Sequence, residues 1–335
     1  MIKRIFVTDD VLRGTTYFSP LRRPNAVWLY DLVQPIFYQM TKLVPLIWFH
    51  NFWNKMHLPS TLENWASCYF GDPTPWFVRD IGRQLHGSLV ISFESSYLLQ
   101  AAFDANNIPW IDLSIGPLRF LEDLTVAFKF SHHFSIAGLE PLFITNLDIL
   151  HGTDKVRAFY ADSSVSCSKA LIFFAQTETD LSLITEGGFY QIDTLPPKIK
   201  ELAAGRKIYV KEHPFAKDNP VIDLVVSQCG ADIINDNTYA LLAKCTDCIF
   251  ATISSSAGHE AQAFGHESVM FNERMAKWLG NRRASMYAHR DPRFWSMLLS
   301  QVSDVKPVIG PAVGVEVNYL RNRISHYALD KAIWS

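Results

Sequence analysis

Three short stretches in the second half of the chain combine side chains that bind anions and move protons. "AQTETD" supplies Gln176, Thr177 and Asp180; "KEHP" supplies Lys211, His213 and Pro214; "ISSSAGHE" supplies Ser254, Ser255, Ser256 and Glu260. Each ends an apolar run that reads as a buried strand, namely "KALIFF", "KIYV" and "DCIFAT". The serines stand where a strand passes into the helix "AGHEAQAFG". The first turn of a helix offers free N–H groups and the positive end of the helix dipole. Hydroxyls added there make a phosphate cradle, whereas a helix cap alone needs one serine. His213, held by Pro214, adds a hydrogen-bond donor at a neighbouring strand end, and Lys211 adds a point charge. A lone histidine in a turn would carry little weight. Beside a lysine and three serines it reads as part of an anion site.

The first half contributes carboxylates at two strand ends. Glu94 follows "SLVISF" and Asp112 ends "IPWID". A carboxyl leaving a buried strand among apolar neighbours holds its proton to higher pH, which suits acid/base work. Glu94 is favoured over Asp112, and either could instead cap a helix. Arg119 offers a fork for a carboxylate ligand, or an ordinary salt bridge.

The elements that must position these groups alternate strand and helix, the pattern of parallel βαβ units. "RIFVT" (4–8), "SLVISFESS" (88–96) and "IPWIDLSIG" (108–116) read as strands of a first series. A helix is expected over "YLLQAAFDANN", and another after "PLRFLEDLTVAFKF". A second series starts near residue 169. Its strands are "KALIFFAQT" (169–177), "KIYVKEHP", "ADIINDN" (231–237), "DCIFATISSS" (247–256) and "ESVMF" (267–271). Its helices are "LPPKIKELAAG" (195–205), with proline at its start and glycine at its stop, "TYALLAKC", and 257–265. The polar segment 150–168 lacks periodicity and is expected to link the two series. The chain therefore divides into a first domain over 1–160, a second over 169–305, and a C-terminal helical segment, 306–335, packing back on the first. In open parallel sheets ligands sit beyond the carboxyl ends of the strands, so the polar clusters are expected to face one cleft.

Composition narrows the class. The 335 residues are 48% hydrophobic and 19% charged, with net charge −2. That is globular material with enough length for two cores, and no basic stripe of the kind a nucleic-acid binder carries. Five cysteines, scattered and odd in number, suggest reduced buried thiols rather than a disulfide framework. Cys245 and Cys248 form a C-x-x-C without a second pair at zinc-site spacing. "MIKRIFVTDD" is unlike a signal peptide, and no run reaches the ~18 apolar residues of a membrane span. A soluble, cytoplasmic protein is expected. The aromatic stretch 27–53 reads as a core helix pair, with an apolar surface facing a lipid-linked acceptor as the other reading. No P-loop and no G-x-G-x-x-G follows a strand, and the adjacent Asp9 and Asp10 of "TDD" point to opposite sides, so no divalent metal site is expected.

"LIFFAQTETDLSLI", "IYVKEHPF" and "CIFATISSSAGHEAQAFGHESVMF" together resemble bacterial capsule and lipopolysaccharide transferases that use CMP-activated 2-keto acid sugars. Members of that group carry a G-Q-x-x-x-D-x-S-like segment, then K-x-H-P, then S-S-x-x-x-E-A. The likeness covers about residues 169–272, with a fainter one in "IDLSIGPLRFLEDL". It departs in having Ala175 where glycine is usual and in lacking an E-D-G-F-x-R-S stretch, to which Asp112 and Arg119 stand nearest. The resemblance implies a GT-B-like α/β fold, two Rossmann-like domains facing across a cleft. It implies transfer of a Kdo, pseudaminic or sialic acid type sugar from its CMP form to a glycan or lipid-linked glycan acceptor, with no other cofactor. By resemblance to the retaining β-Kdo enzymes, Asp180 forms a glycosyl adduct and Glu94 or Asp112 serves the acceptor, the two-carboxylate logic of retaining glycosidases. His213, Ser254, Ser255 and Ser256, with Gln176, Thr177, Lys211, Pro214, Glu260 and Arg119, would hold the donor. Glycerophosphotransferases that use CDP-glycerol share several of these elements, and a non-catalytic sugar-nucleotide-binding module of capsule assembly is the third reading. Action at the inner face of the cytoplasmic membrane, with a peripheral contact, goes with the first.

Overall fold

The computed structural model describes residues 2–13, 23–177, 179–213, 219–308 and 318–324. Its strands, in chain order, are β1 (Arg4–Asp9), β2 (Leu46–Ile47), β3 (Ser88–Phe93), β4 (Trp110–Ile115), β5 (Val126–Phe130), β6 (Ala170–Phe174), β7 (Ile184–Thr185), β8 (Gly188–Phe189), β9 (Lys207–Lys211), β10 (Asp232–Ile234), β11 (Ile249–Thr252), β12 (Glu267–Met270) and β13 (Arg283–Ser285). The helices used below are α1 (Pro24–Thr41), α2 (Leu62–Cys68), α3 (Tyr97–Ala105), α4 (Asn146–Phe159), α5 (Thr238–Lys244), α6 (Ser256–Ala263), α7 (Glu273–Gly280) and α8 (Pro292–Leu299).

The first sheet runs β13-β5-β4-β3-β1-β2, and the second runs β10-β9-β6-β11-β12. All pairings in the second sheet are parallel. In the first, β2, β1, β3 and β4 are parallel, while β5 and β13 add on antiparallel. The expected GT-B-like arrangement, two α/β layers facing across a cleft, is the one observed.

Both sheets are covered on two faces, which is why their strands are near-continuous apolar runs. In β3, Leu89, Ile91 and Phe93 pack with Leu29, Val33 and Phe37 of α1 and Phe294, Trp295 and Leu298 of α8. Val90 points the other way, toward Trp65, Phe103 and Trp110. Each such side chain, fully buried, contributes roughly 1.5–3 kcal/mol. In the second sheet Ile172, Phe174 and Phe250 face α4 and α5, and Leu171, Phe173 and Val210 face the opposite layer.

Within "PLRFLEDLTVAFKF" the 126–130 segment is strand β5, because a run of β-branched and aromatic residues there finds an open edge of the sheet, and α4 follows it at Asn146. Three expectations need revision. The whole of 150–159 is helical: Thr145 and Asp148 form a reciprocal capping box that starts α4, and Val156 anchors it on the second sheet. The aromatic stretch 27–53 contributes one core helix, α1, rather than a pair. The chain also returns to the first sheet well before residue 306. Arg283–Ser285 pairs with β5, and Phe294, Trp295, Leu298 and Leu299 fill that sheet's core. Of the C-terminal segment, residues 306–308 and 318–324 are described: Leu320 is buried in the same core, and its backbone N–H, with that of Arg321, donates to Asp123.

Candidate active site

The second sheet reverses its strand order between β6 and β11, and the loops leaving these two strands are tied together by Gln176. Its Oε1 accepts from Thr252 Oγ1 at 2.9 Å and from the Ser254 backbone N–H at 2.8 Å. Its Nε2 donates to Ser182 Oγ at 2.7 Å. Three of the four hydrogen bonds this buried amide can make are thus spent on the protein, which makes Gln176 a latch across the switch point. Gln176 also lines the cavity described below, with one amide hydrogen left over.

Together with the first sheet, these loops enclose a cavity of about 530 Å³, within the ~300–1,000 Å³ range of small-molecule sites. Ser254, Ser255 and Ser256 all line it. Their hydroxyls do not act as a trio. Ser254 gives its hydrogen to the Ser182 carbonyl, and Ser255 is the N-cap of α6, accepting from the Ala257 N–H at 3.3 Å. Capping uses a lone pair, so Ser255 keeps its O–H to donate, as does Ser256. This terminus offers two hydroxyls and the free N–H of the first turn as donors. Gly258 lets α6 lie close to the sheet: a Cβ there would stand 2.9 Å from both Met270 Cγ and Thr252 Cγ2.

Asp180, Thr177 and His213 line the same cavity. Asp180 is exposed and caps a short 3-10 turn through Oδ1, which accepts from the Ser182 N–H at 2.8 Å. Burial pushes the His213 imidazole below its usual range; the Asp180 charge opposes this and the Arg119 charge adds to it. A neutral ring presents one N–H donor at neutral pH. Lys211 is half-buried at the end of β9 and does not line the cavity; burial pushes its ammonium below the usual lysine range, and the Glu212 and Asp236 charges oppose this. Pro214 lies outside the described residues. Glu260 is buried behind the cavity wall, where its Oε1 accepts from the Arg119 backbone N–H and the Tyr239 hydroxyl, each at 2.9 Å. It joins α6 to the loop after β4 and does not line the cavity.

From the first sheet come Glu94 and Arg119, both on the cavity wall. Glu94 sits in the left-handed backbone region with φ 52°, immediately after β3. A non-glycine residue there costs ~1–3 kcal/mol and must be held by its surroundings. The helix cap that Glu94 could have provided belongs to Ser96, at the start of α3. The residue is half-buried. Burial, reinforced by the Asp180 charge, pushes its carboxyl up to about 7, while Arg13 and Arg282 pull the other way. Asp112 is fully buried and lines no part of the cavity. Its Oδ1 accepts from Ser92 Oγ, Ser95 N–H and Ser95 Oγ at 2.7, 2.9 and 2.8 Å, and its Oδ2 faces Arg282 at 2.7 Å. Asp112 is an internal counter-ion and drops out as acid/base.

Sequence reasoning missed Arg13, Asn25 and Trp28, which also line the cavity. Arg13 follows β1 and lies over the Trp65 ring at 5.1 Å. Its loop is pinned by Asp10, which accepts from Trp65 Nε1 at 2.7 Å and the Leu12 N–H at 3.1 Å. Burial raises Asp10 to about 6. The strand-end rule that selected Glu94 applies equally to "TDDVLR", so this signal was present in the sequence. Trp28 packs edge-on to Phe93 at 5.3 Å, and no local pattern separates it from the core residues of α1.

No protein-family model matches the chain, and no curated protein matches it. Among solved structures it is similar to the Thermosulfurimonas dismutans β-Kdo 2,7 transferase KpsC, at 14% identity over 80% of this chain and 79% of that one, with a TM-score of 0.43. It is similar too to the Methanocaldococcus jannaschii UDP-GlcNAc 2-epimerase in complex with UDP-GlcNAc and UDP, at 11% identity over 80% and 83%, with a TM-score of 0.30. Likenesses this distant carry no argument about activity. No described helix is long and apolar enough to cross a membrane.

Proposed function

We propose that this chain is a retaining glycosyltransferase that moves a 2-keto acid sugar from its CMP form to a hydroxyl of a glycan or lipid-linked glycan, in bacterial surface polysaccharide synthesis on the cytoplasmic side. One observation carries the reading: Glu94 and Asp180, from opposite sheets, line one cavity with the α6 terminus and His213, and the charge of Asp180 helps keep Glu94 protonated near neutrality.

In the first step an Asp180 oxygen attacks the anomeric carbon, and the bond from that carbon to the CMP phosphate oxygen breaks. CMP leaves as an anion and needs no proton. His213, the Ser255 and Ser256 hydroxyls and the first turn of α6 offer donors where its charge develops. Arg13 and Arg119 are the cavity's guanidinium groups and suit the sugar carboxylate. In the second step the acceptor oxygen attacks the same carbon, its proton passes to Glu94, and the Asp180 ester bond breaks to restore the carboxylate. The electrostatics favour this order. Once Asp180 is an ester it carries no charge, so one cause of Glu94's proton retention disappears when a base is needed.

The test is intact-protein mass spectrometry with a panel of CMP-Kdo, CMP-sialic acid, CMP-pseudaminic acid and CDP-glycerol. A sugar-sized mass increment is expected with one CMP-sugar, absent in Asp180→Asn and accumulating in Glu94→Gln. Consumption of CDP-glycerol alone, or no turnover of any donor, refutes the proposal.

A further inference from the structure

At the amino-terminal edge of the second sheet, away from the cleft, three cysteines converge. The spacing of Cys245 and Cys248 offers two ligands; the fold brings a third. Cys167 precedes β6, Cys245 follows α5, and Cys248 leads into β11. A parallel bridge between Ser168 and Thr246 holds the two segments side by side, with Thr246 N–H donating to the Cys167 carbonyl at 3.0 Å and Lys169 N–H to the Thr246 carbonyl at 3.3 Å. The Cys167 and Cys248 sulfurs are 3.9 Å apart, and all three lie within 4.8 Å of one another. A tetrahedral ion with metal–sulfur bonds of ~2.3 Å needs sulfurs ~3.8 Å apart. Cys245 and Cys248 are buried, whereas Cys167 is half-buried, so one side of the cluster opens toward solvent.

We propose that Cys167, Cys245 and Cys248 form a three-thiolate site for a soft closed-shell cation, Zn²⁺ or Cu⁺. Thiolate sulfur is the ligand that selects these ions. On binding, each ligating thiol releases its proton to solvent and the metal keeps its oxidation state. Zinc takes water as a fourth ligand on the open side; Cu⁺ is satisfied by three sulfurs. Three thiolates around Zn²⁺ carry one net negative charge, and the Lys207 ammonium, paired to Asp232, acts on Cys167. The site ties the starts of β6 and β11 to the end of α5. These are the two strands whose far ends Gln176 latches.

The full chain, purified reduced and stripped with a chelator, is titrated anaerobically with Co²⁺. One equivalent should give sulfur-to-cobalt charge-transfer bands and tetrahedral d–d bands, lost on adding Zn²⁺. Competition with a coloured Cu⁺ chelator reads the copper arm. Cys167→Ser, Cys245→Ser and Cys248→Ser should each weaken binding by more than the ~10–100-fold that loss of an outer-shell partner costs, while Cys68→Ser and Cys229→Ser leave it unchanged. Peptide mapping after alkylation of the wild-type chain needs no variant: Zn²⁺ or Cu⁺ should protect Cys167, Cys245 and Cys248 and not Cys68 or Cys229. Absence of the cobalt bands together with no protection by either ion overturns the inference, as does binding that survives all three substitutions.

Discussion

Replacing Asp180 by asparagine should make Glu94 a stronger acid, and the size of the effect follows from the cleft. Both carboxylates line one cavity of about 530 Å³, and ~10 Å stands for their separation across it. Two unit charges ~10 Å apart at an effective dielectric of ~20 repel by ~1.7 kcal/mol, which is about one pH unit of titration midpoint. Asp180 is exposed, so solvent screening makes that an upper value. Glu94 starts at about 7, with burial as the larger cause and the Asp180 charge second. In Asp180→Asn the midpoint should therefore fall by up to about one pH unit and stop well short of an exposed glutamate, because burial is untouched. Carbon-13 NMR titration of δ-labelled glutamate reads this without substrate, with the Glu94 signal assigned by its loss in Glu94→Gln. An unchanged or higher midpoint in Asp180→Asn would show that the two carboxylates do not sense each other, and the two-step scheme would lose its timing.

Further outcomes follow from the same coordinates. Glu94 is raised in the folded chain, so the folded state binds its proton more tightly and stability falls as pH rises from the unfolded value of 4.5 through about 7. Glu94→Gln should then melt higher than wild type at pH 8, by ~1–2 kcal/mol after allowing for partial exposure, with the gain shrinking toward pH 4.5 in calorimetry at both ends. Asp112→Ala should cost ~3–5 kcal/mol in urea unfolding, because it leaves the Arg282 cation buried without its carboxylate. Gly258→Ala should cost ~1–3 kcal/mol by overpacking against Met270 and Thr252, read as a lower melting temperature.

The second half was the more legible, and the reason is physical. In the central strands of an all-parallel sheet, buried on both faces, short apolar runs end in polar clusters, so "KALIFF", "KIYV" and "CIFAT" announce themselves. What the clusters do was less legible, because a hydroxyl's partner is set by distant chain. Ser254 looks like Ser256 in sequence, yet the Ser182 carbonyl takes its hydrogen. Asp112 and Glu94 both end strands, but Arg282, contributed from 170 positions away by 282 − 112, turns one into an internal counter-ion. The capping box of Thr145 and Asp148 was readable and marks a helix where a linker was expected. The antiparallel β5 was not readable, since its place depends on a sheet edge that only the whole fold creates.

The late return of the chain has a practical consequence. Because Arg283–Ser285 and the Phe294–Leu299 residues complete the first sheet, a fragment ending near residue 168 would expose the flank of β5 and bare Phe128 of its aromatic companions Phe294 and Trp295. Such a piece invites edge-to-edge self-association. The halves are therefore poor candidates for separate expression, and a swap between proteins would have to exchange an internal cassette with two seams, one before β6 and one before β13, so that the closing strand stays with its own sheet.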